Sequence, residues 1–301
     1  MILVAGGTGF VGGAIVRELA RRGASVAVLS REPARHADRF PGLNVEYRKG
    51  DVTDPASLSS ALIGIEVVIS SQQFPNSPIE DPKKGYTFEK VDAEGTENLM
   101  SAAKQGGVRR LIYLSGAGAA PDAPYHWFRA KWRAETAVRD SGITYTIIRP
   151  SWVYGPDDVA LNRFLGMSRF LPFVPLIGAA GKQRLQPVFI DDVARAVAGF
   201  LEKPAAENKV FEMGGPDELT MREIVSTALN VAGRRRLMLA APKTLMKLLA
   251  SVLQFAPGRP LTPAAVDFIT MDALADPSEI EAALDIKMTP LRDALATYLT
   301  P

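Results

Sequence analysis

Ile2-Leu3-Val4-Ala5-Gly6-Gly7-Thr8-Gly9-Phe10-Val11-Gly12 is the stretch that decides the fold. An apolar run stops at a glycine, and apolar residues then recur at Val11, Ile15, Val16, Leu19 and Ala20 with helical spacing. The order is strand, glycine turn, helix. The three spaced glycines do different things. Gly6 permits the tight turn, Gly9 lets backbone amides approach a pyrophosphate at the positive helix end, and Gly12 lets helix and strand pack closely. Spaced glycines alone are a weak signal, since such turns also occur without a ligand, but the strand before and the helix after give the confirming context. The expectation is a dinucleotide site in which Gly6, Thr8, Gly9, Phe10, Val11 and Gly12 form the phosphate cradle.

Outward from this turn the pattern repeats. Apolar runs at 25–29, 45–47, 67–70, 111–114 and 145–148 read as strands. Helical stretches separate most of them: Asp54-Pro55 looks like a cap and first helical residue, 91–104 is periodic, and 128–139 runs until Ser141-Gly142 stops it. Short, nearly continuous apolar strands joined by helices predict an α/β fold, a doubly wound parallel Rossmann sheet covered on both faces, with ligands at the carboxyl ends of its strands. This domain is expected over 1–150, and a smaller, mostly helical substrate or partner region over 151–301. In that second region 171–187 is rich in Pro and Gly, and short strands near 188–190 and 210–213 are candidates to rejoin the first sheet or its edge. A helix is expected over 192–202, and Thr220-Met221-Arg222-Glu223 is a capping box opening a helix to about Ala232. The tail from Pro242 reads as helices broken by Pro257, Pro260, Pro263, Pro277 and Pro290.

Composition narrows the chemistry. The 301 residues are 47% hydrophobic and 23% charged, as in an ordinary globular chain. Lys and Arg number 35 against 33 Asp and Glu, so no global field draws the chain to nucleic acid or to an anionic bilayer, and only a local basic patch remains open. Zero Cys removes disulfides and thiolate nucleophiles, and with only His36 and His126 no metal site is expected. No apolar run approaches a spanning helix and no signal peptide pattern opens the chain, so a reducing cytoplasm is the default expectation.

The end of the second strand meets the adenosine ribose, where an NAD site places Asp or Glu. This chain has Ser30-Arg31, and Arg35 lies one turn away if the segment is helical. A guanidinium suits a 2′-phosphate, so NADP(H) is favoured, although Glu32 is placed to neutralise Arg31.

Five stretches together resemble the extended and atypical short-chain dehydrogenase/reductase family. They are the glycine turn at 6–12; Gly50-Asp51-Val52-Thr53-Asp54; Gly95-Thr96-Glu97-Asn98-Leu99; 149–156, from Arg149-Pro150 through Val153 to Pro156; and 187–194. The ending, with Pro260-Leu261-Thr262-Pro263 after an apolar helix, is similar to the subgroup containing the NADPH-binding accessory subunit of mitochondrial respiratory complex I and its bacterial relatives. The resemblance implies that Asp51 and Val52 sit against the adenine, and that Ser70, Lys131, Pro150 and Val153 line the rest of the cofactor site.

In active members of that family a Tyr four residues before a Lys moves the substrate proton, while the Lys holds the nicotinamide ribose and lowers the Tyr pKa. Here Lys131 fits the Lys position, but Trp127 stands four residues earlier, and indole exchanges no proton near neutral pH. The remaining candidates for the catalytic set are Lys131, Tyr125, which reaches the same place only if the chain before the helix bends back, and Ser115 at the end of the fifth strand. The competing readings are a surface Lys131 paired with Glu135, a packing role for Tyr125, and a loop role for His126.

Residues 72–86 form a polar, proline-containing segment at a position that faces the nicotinamide end, a candidate substrate or partner loop. Residues 244–255 carry a wide apolar arc with Lys243 and Lys247, either core-facing or a face for a partner or membrane surface. Three functions stay open: an NADP(H)-dependent oxidoreductase with a weakened site acting on a small carbonyl or quinone-like compound; a non-catalytic NADPH-binding subunit of a protein complex; and a non-redox epimerase or isomerase.

Overall fold

The computed structural model describes residues 1–178, 182–256 and 261–300. Alternation within the first strand builds both layers at once: Leu3 and Ala5 enter the core on one face of the sheet, and Val4 the core on the other. Since both faces of such a strand are buried, it has to read as a continuous apolar run.

The first half runs β1 (Ile2–Ala5), α1 (Phe10–Arg21), β2 (Val26–Ser30), β3 (Val45–Lys49), α2 (Leu58–Ala61), β4 (Val67–Ser70), α3 (Gly95–Gln105), β5 (Arg110–Leu114), α4 (His126–Asp140) and β6 (Thr144–Pro150). A π-wound turn, Phe88–Glu94, leads into α3. The second half continues with β7 (Val153–Tyr154), α5 (Val159–Phe170), β8 (Phe173–Ile177), β9 (Arg184–Leu185), β10 (Val188–Phe189), α6 (Ile190–Leu201) and β11 (Lys209–Met213). It ends with β12 (Leu219–Thr220), α7 (Met221–Val231), β13 (Leu237–Ala241), α8 (Lys243–Leu253), α9 (Pro263–Thr270), α10 (Ser278–Leu284) and α11 (Leu291–Ala296).

Seven strands form one parallel sheet in the order β11-β6-β5-β4-β1-β2-β3. The strand order reverses between β1 and β4, so the connections leave on opposite faces there and open a crevice at the carboxyl ends, beside the glycine turn. This is the doubly wound Rossmann-like fold.

The second half differs from the sequence expectation in three places. The strand near 210–213 is the seventh strand of the large sheet, but the one near 188–190 does not rejoin it. Val188 and Phe189 pair with Val153 and Tyr154, because β11 already occupies the edge beside β6. Within the Pro- and Gly-rich stretch lies β8, paired with β13. Pro175 is tolerated there because β8 has a partner on one side only. Finally, prolines of the tail start helices rather than break them. Pro263 is the first residue of α9 after the Thr262 cap, and Pro277 and Pro290 stand just before α10 and α11. Pro257 and Pro260 lie outside the described residues. The capping box at Thr220 and Glu223 is present in full, with both reciprocal hydrogen bonds formed.

Candidate functional site

The glycine turn is built by backbone crowding. Gly6 has φ +82°, and a Cβ there would lie 2.5 Å from the Ser71 carbonyl oxygen. A Cβ on Gly12 would lie 2.3 Å from the Gly6 carbonyl oxygen. Gly9 differs: its φ is −83°, and the nearest atom to a Cβ is the Gly6 oxygen at 3.2 Å. Gly6 and Gly12 are therefore required by the fold, while Gly9 is free to face a ligand at the start of α1, where first-turn amides have no partner within the helix. Phe10 and Val11 send their side chains back toward the core. One residue that the sequence does not single out braces the turn: Arg39 donates to the Gly9 carbonyl at 3.1 Å.

A cavity of about 580 Å³ runs from Gly6 and Thr8 past Ser30 and Arg31 to Asp51 and Val52. Arg35 and Lys84 also line it. Arg31 lies over the Tyr86 ring, 5.7 Å from its centroid. Glu32 pairs with Arg35 at 3.4 Å rather than with Arg31. The cavity thus presents the Arg31 guanidinium against an aromatic wall where an NAD site would carry an acid. Asp51 is held in a local turn by Thr53, whose amide and hydroxyl both donate to it at 2.8 Å. Asn98 donates to the Val52 carbonyl at 2.9 Å, and the missing side chain of Gly95 makes room for Val52. The Gly95-to-Asn98 motif is in this way a brace for the strip at 50–54.

Ser70 is turned inward. Its hydroxyl donates to Gln72 at 2.6 Å, Gln72 donates to Thr96 at 2.9 Å, and Thr96 donates to the Asp92 carbonyl at 2.6 Å. Gln72, not Ser70, lines the cavity. The loop that follows spans the whole site rather than facing the nicotinamide end alone. Its later part brings Lys84 and Tyr86 to Arg31, while Phe74 packs edge-on against Phe88 at 4.9 Å and Glu80 meets His126 at 2.8 Å.

Around α4 the structure gathers residues from separate elements. Lys131 Nζ lies 2.7 Å from Asp92 Oδ1, a carboxylate of the π-wound turn with no exposed surface. The same ammonium is 3.4 Å from the Leu114 carbonyl and 5.6 Å from the Tyr113 ring centroid. Burial opposes the charge on Lys131, but Asp92 and then Tyr113 outweigh it and hold the ammonium above the ordinary lysine range. Burial raises the Asp92 carboxyl, and Lys131 offsets that only in part. The surface pairing of Lys131 with Glu135 is excluded. Glu135 is itself buried and takes two 2.8 Å contacts from Arg149, one 2.6 Å contact from Arg139 and the Ser115 hydroxyl at 2.6 Å. The Ser115 hydroxyl is committed to that network. Pro150 and Val153 close β6 and open β7 just behind it.

Trp127 occupies the turn before Lys131 as a buried wall. Tyr125 stacks on it with centroids 4.4 Å apart and planes 7° apart, and Phe268 of α9 meets it edge-on at 5.3 Å. Burial leaves Trp127 Nε1 without a hydrogen-bond partner among the described residues. Tyr125 and Trp127 are thus stacked together at the start of α4 and Lys131 is paired with Asp92, while Gly6, Thr8, Arg31, Asp51 and Val52 line the cavity. Asp92 and Tyr113 escape the sequence reading, whereas Gln72 opens the loop it singled out. A signal for Asp92 exists: it stands on the stripe Asp92, Thr96, Leu99 and Ala103, whose other members are small or apolar and which is buried throughout.

The described residues contain no cluster of metal-ligating side chains. Residues 6–165 match the NAD(P)H-binding family model. A mitochondrial NADH dehydrogenase alpha subcomplex subunit 9 of Arabidopsis thaliana is 34% identical over 227 residues, 73% of this chain but 55% of that protein, so the match spans little more than half of the plant relative. The NAD(P)H azoreductase of Xenophilus azovorans is 27% identical over 78% of this chain and 74% of its own length. The structure of an NADPH-dependent quinone oxidoreductase of Escherichia coli, solved with NADPH, superposes with a TM-score of 0.74 at 22% identity, covering 99% of each chain, a likeness of fold. The crowded glycine cradle and the family match lead to one conclusion: the chain belongs to the NAD(P)H-binding family, of the atypical short-chain dehydrogenase/reductase type.

Proposed function

We propose that the protein is an NADPH-dependent oxidoreductase for planar, conjugated acceptors such as quinones, whose reduction needs no acid from a side chain. The observation that carries this reading is Trp127, buried among aromatic rings one helical turn before Lys131. An ordinary ketone needs its oxygen protonated as hydride arrives, and indole cannot do that. A conjugated acceptor delocalises the incoming electron pair, and water can protonate the product afterwards. The names of two relatives, an azoreductase and a quinone oxidoreductase, support the same substrate class.

The residues fit the cofactor. Gly9 and the first amides of α1 would hold the pyrophosphate, Arg31 the 2′-phosphate, and Asp51 and Val52 the adenine, while Lys131 would orient the nicotinamide ribose. When bound, the reduced nicotinamide supplies the hydride. Asp92 fixes the Lys131 ammonium in place, and Tyr125, Trp127 and Phe268 wall the acceptor side. Because Phe268 comes from α9, the region after residue 150 serves as the substrate portion of the molecule. The test is to add acceptors to the NADPH-loaded protein and follow cofactor fluorescence. Loss of the signal with a quinone but not with a saturated ketone is expected. Retention of the signal with every acceptor would favour the non-catalytic alternative, a cofactor-stabilised subunit of a larger assembly.

A further inference from the structure

Most of the large apolar side chains that the described residues expose come from two neighbouring segments. In α8, Leu245, Leu248, Leu249 and Val252 follow helical one-face spacing, yet this face points to solvent, with Leu248 and Val252 each 68% exposed. The helix packs through the opposite side, where Ala250 is buried and Lys243 and Lys247 pair with Asp267 of α9. Its apolar arc is thus turned outward, the reverse of an ordinary surface helix. The strand feeding α8 continues the surface, since Leu237 and Leu239 of β13 share one exposed face. Leu237 N donates to the Pro172 carbonyl at 3.1 Å, which brings Phe170, 87% exposed, to the same corner.

The charge on these segments is one-sided. No Asp or Glu occurs in residues 159–189 or 224–266, and with Lys243 and Lys247 paired with Asp267 the exposed cations of these segments include Arg163, Arg169 and Arg235. Arg169 and Arg235 are exposed near Phe170 and Leu237 in the chain. In a chain whose net charge is only +2, this is a local field and not a general one. An apolar arc flanked by such arginines, with no acid in the segments that carry it, complements an interface of acyl chains beneath negative headgroups. A protein groove would offer the apolar half of that match without calling for an acid-free border.

We propose that the outward face of α8, the exposed side of β13 and the Phe170 corner together dock on an anionic phospholipid surface. The experiment is co-sedimentation of the full chain, loaded with NADPH, with vesicles of equal parts phosphatidylcholine and phosphatidylglycerol, and with vesicles of phosphatidylcholine alone. Binding to the anionic vesicles at least tenfold tighter than to the neutral ones is expected, weakening as salt rises. Leu248→Glu with Val252→Glu should abolish binding, and Arg235→Ala should reduce it about fivefold. Both variants should keep wild-type NADPH affinity, since neither position touches the cradle. Equal binding to both vesicle types, binding that survives the double substitution, or no binding at all would overturn the proposal. A dimer in ultracentrifugation that dissociates on the double substitution would also overturn it, assigning the face to a second copy of the chain.

Discussion

Lys131 Nζ and Asp92 Oδ1 stand 2.7 Å apart, joining α4 to the π-wound turn before α3 through a carboxylate that has no exposed surface. A π turn costs regular helical geometry and recurs at functional sites. Here it places an acid inward, where α4 alone would leave the lysine unpartnered. Removing either member strands the other charge, a loss of about 3–5 kcal/mol for a buried pair. Asp92→Ala and Lys131→Ala should each lower stability by amounts of that order, while the double variant should fall well short of their sum. Denaturant unfolding of the four proteins measures this, and a coupling below about 0.5 kcal/mol would show the two groups to be independent.

Arg31 should determine the choice of cofactor. With Glu32 engaged by Arg35, the Arg31 guanidinium is available to a 2′-phosphate. NADPH should bind at least about tenfold more tightly than NADH, roughly 1.4 kcal/mol, and Arg31→Ala should erase most of that difference. Calorimetric titration reads both, and equal affinities in the unmodified protein would contradict the assignment.

The glycines of the turn should separate folding from binding. Gly9 has an ordinary φ of −83° and a Cβ there would meet only the Gly6 oxygen, at 3.2 Å, so Gly9→Val should fold with a modest loss of stability yet lose dinucleotide binding. Gly12→Val should instead be severely destabilised, because a Cβ there would lie 2.3 Å from the Gly6 oxygen. Thermal melts together with NADPH titration distinguish the two, and a Gly9→Val protein that still binds NADPH would place the phosphates elsewhere.

Asp158, the cap of α5, gives a pH signature. Its Oδ1 accepts from the amides of Ala160 and Leu161, but its Oδ2 is buried without a partner among the described residues. Burial raises its pKa from 3.8 to about 6, against the opposing effect of those amides. A carboxyl whose folded pKa lies above its unfolded one stabilises the fold in its protonated form. That contribution is complete below the unfolded value of 3.8 and is lost as pH rises to about 6. Asparagine keeps the capping oxygen and carries no charge. Asp158→Asn should therefore melt higher than the wild type at about pH 8 and close to it at about pH 4. A variant less stable than the wild type at about pH 8 would show that the cap functions as a carboxylate.

The first half of the molecule is open to sequence reading because its strands are buried on both faces and its turn residues have local causes. Ile2 to Ala5 and the glycines after it state strand, turn and helix within one short window. Lys131 is legible from its place on α4, but its partner is not, since Asp92 is distant in sequence and brought near only by packing. The second half resists for a related reason. Pro172 and Pro175 make β8 look like a loop, and only its single-sided pairing with β13 permits a strand there. The tail prolines look like breaks because a proline inside a helix and one at its start are alike until the cap is seen. The apolar arc at 244–255 is visible in the sequence, but whether it faces inward or outward depends on α9 covering its other side.

Steady-state NADPH oxidation with a benzoquinone and with a saturated ketone of similar size tests the central claim most directly. Trp127 supplies no proton, and general acid catalysis is worth about 10²–10⁴ in rate. The quinone should turn over, and its kcat/KM should exceed that of the ketone by at least that factor over and above their ratio in water. Equal enhancement of the two, or turnover of the ketone above roughly one per second, would contradict the account and place an acid at the site after all.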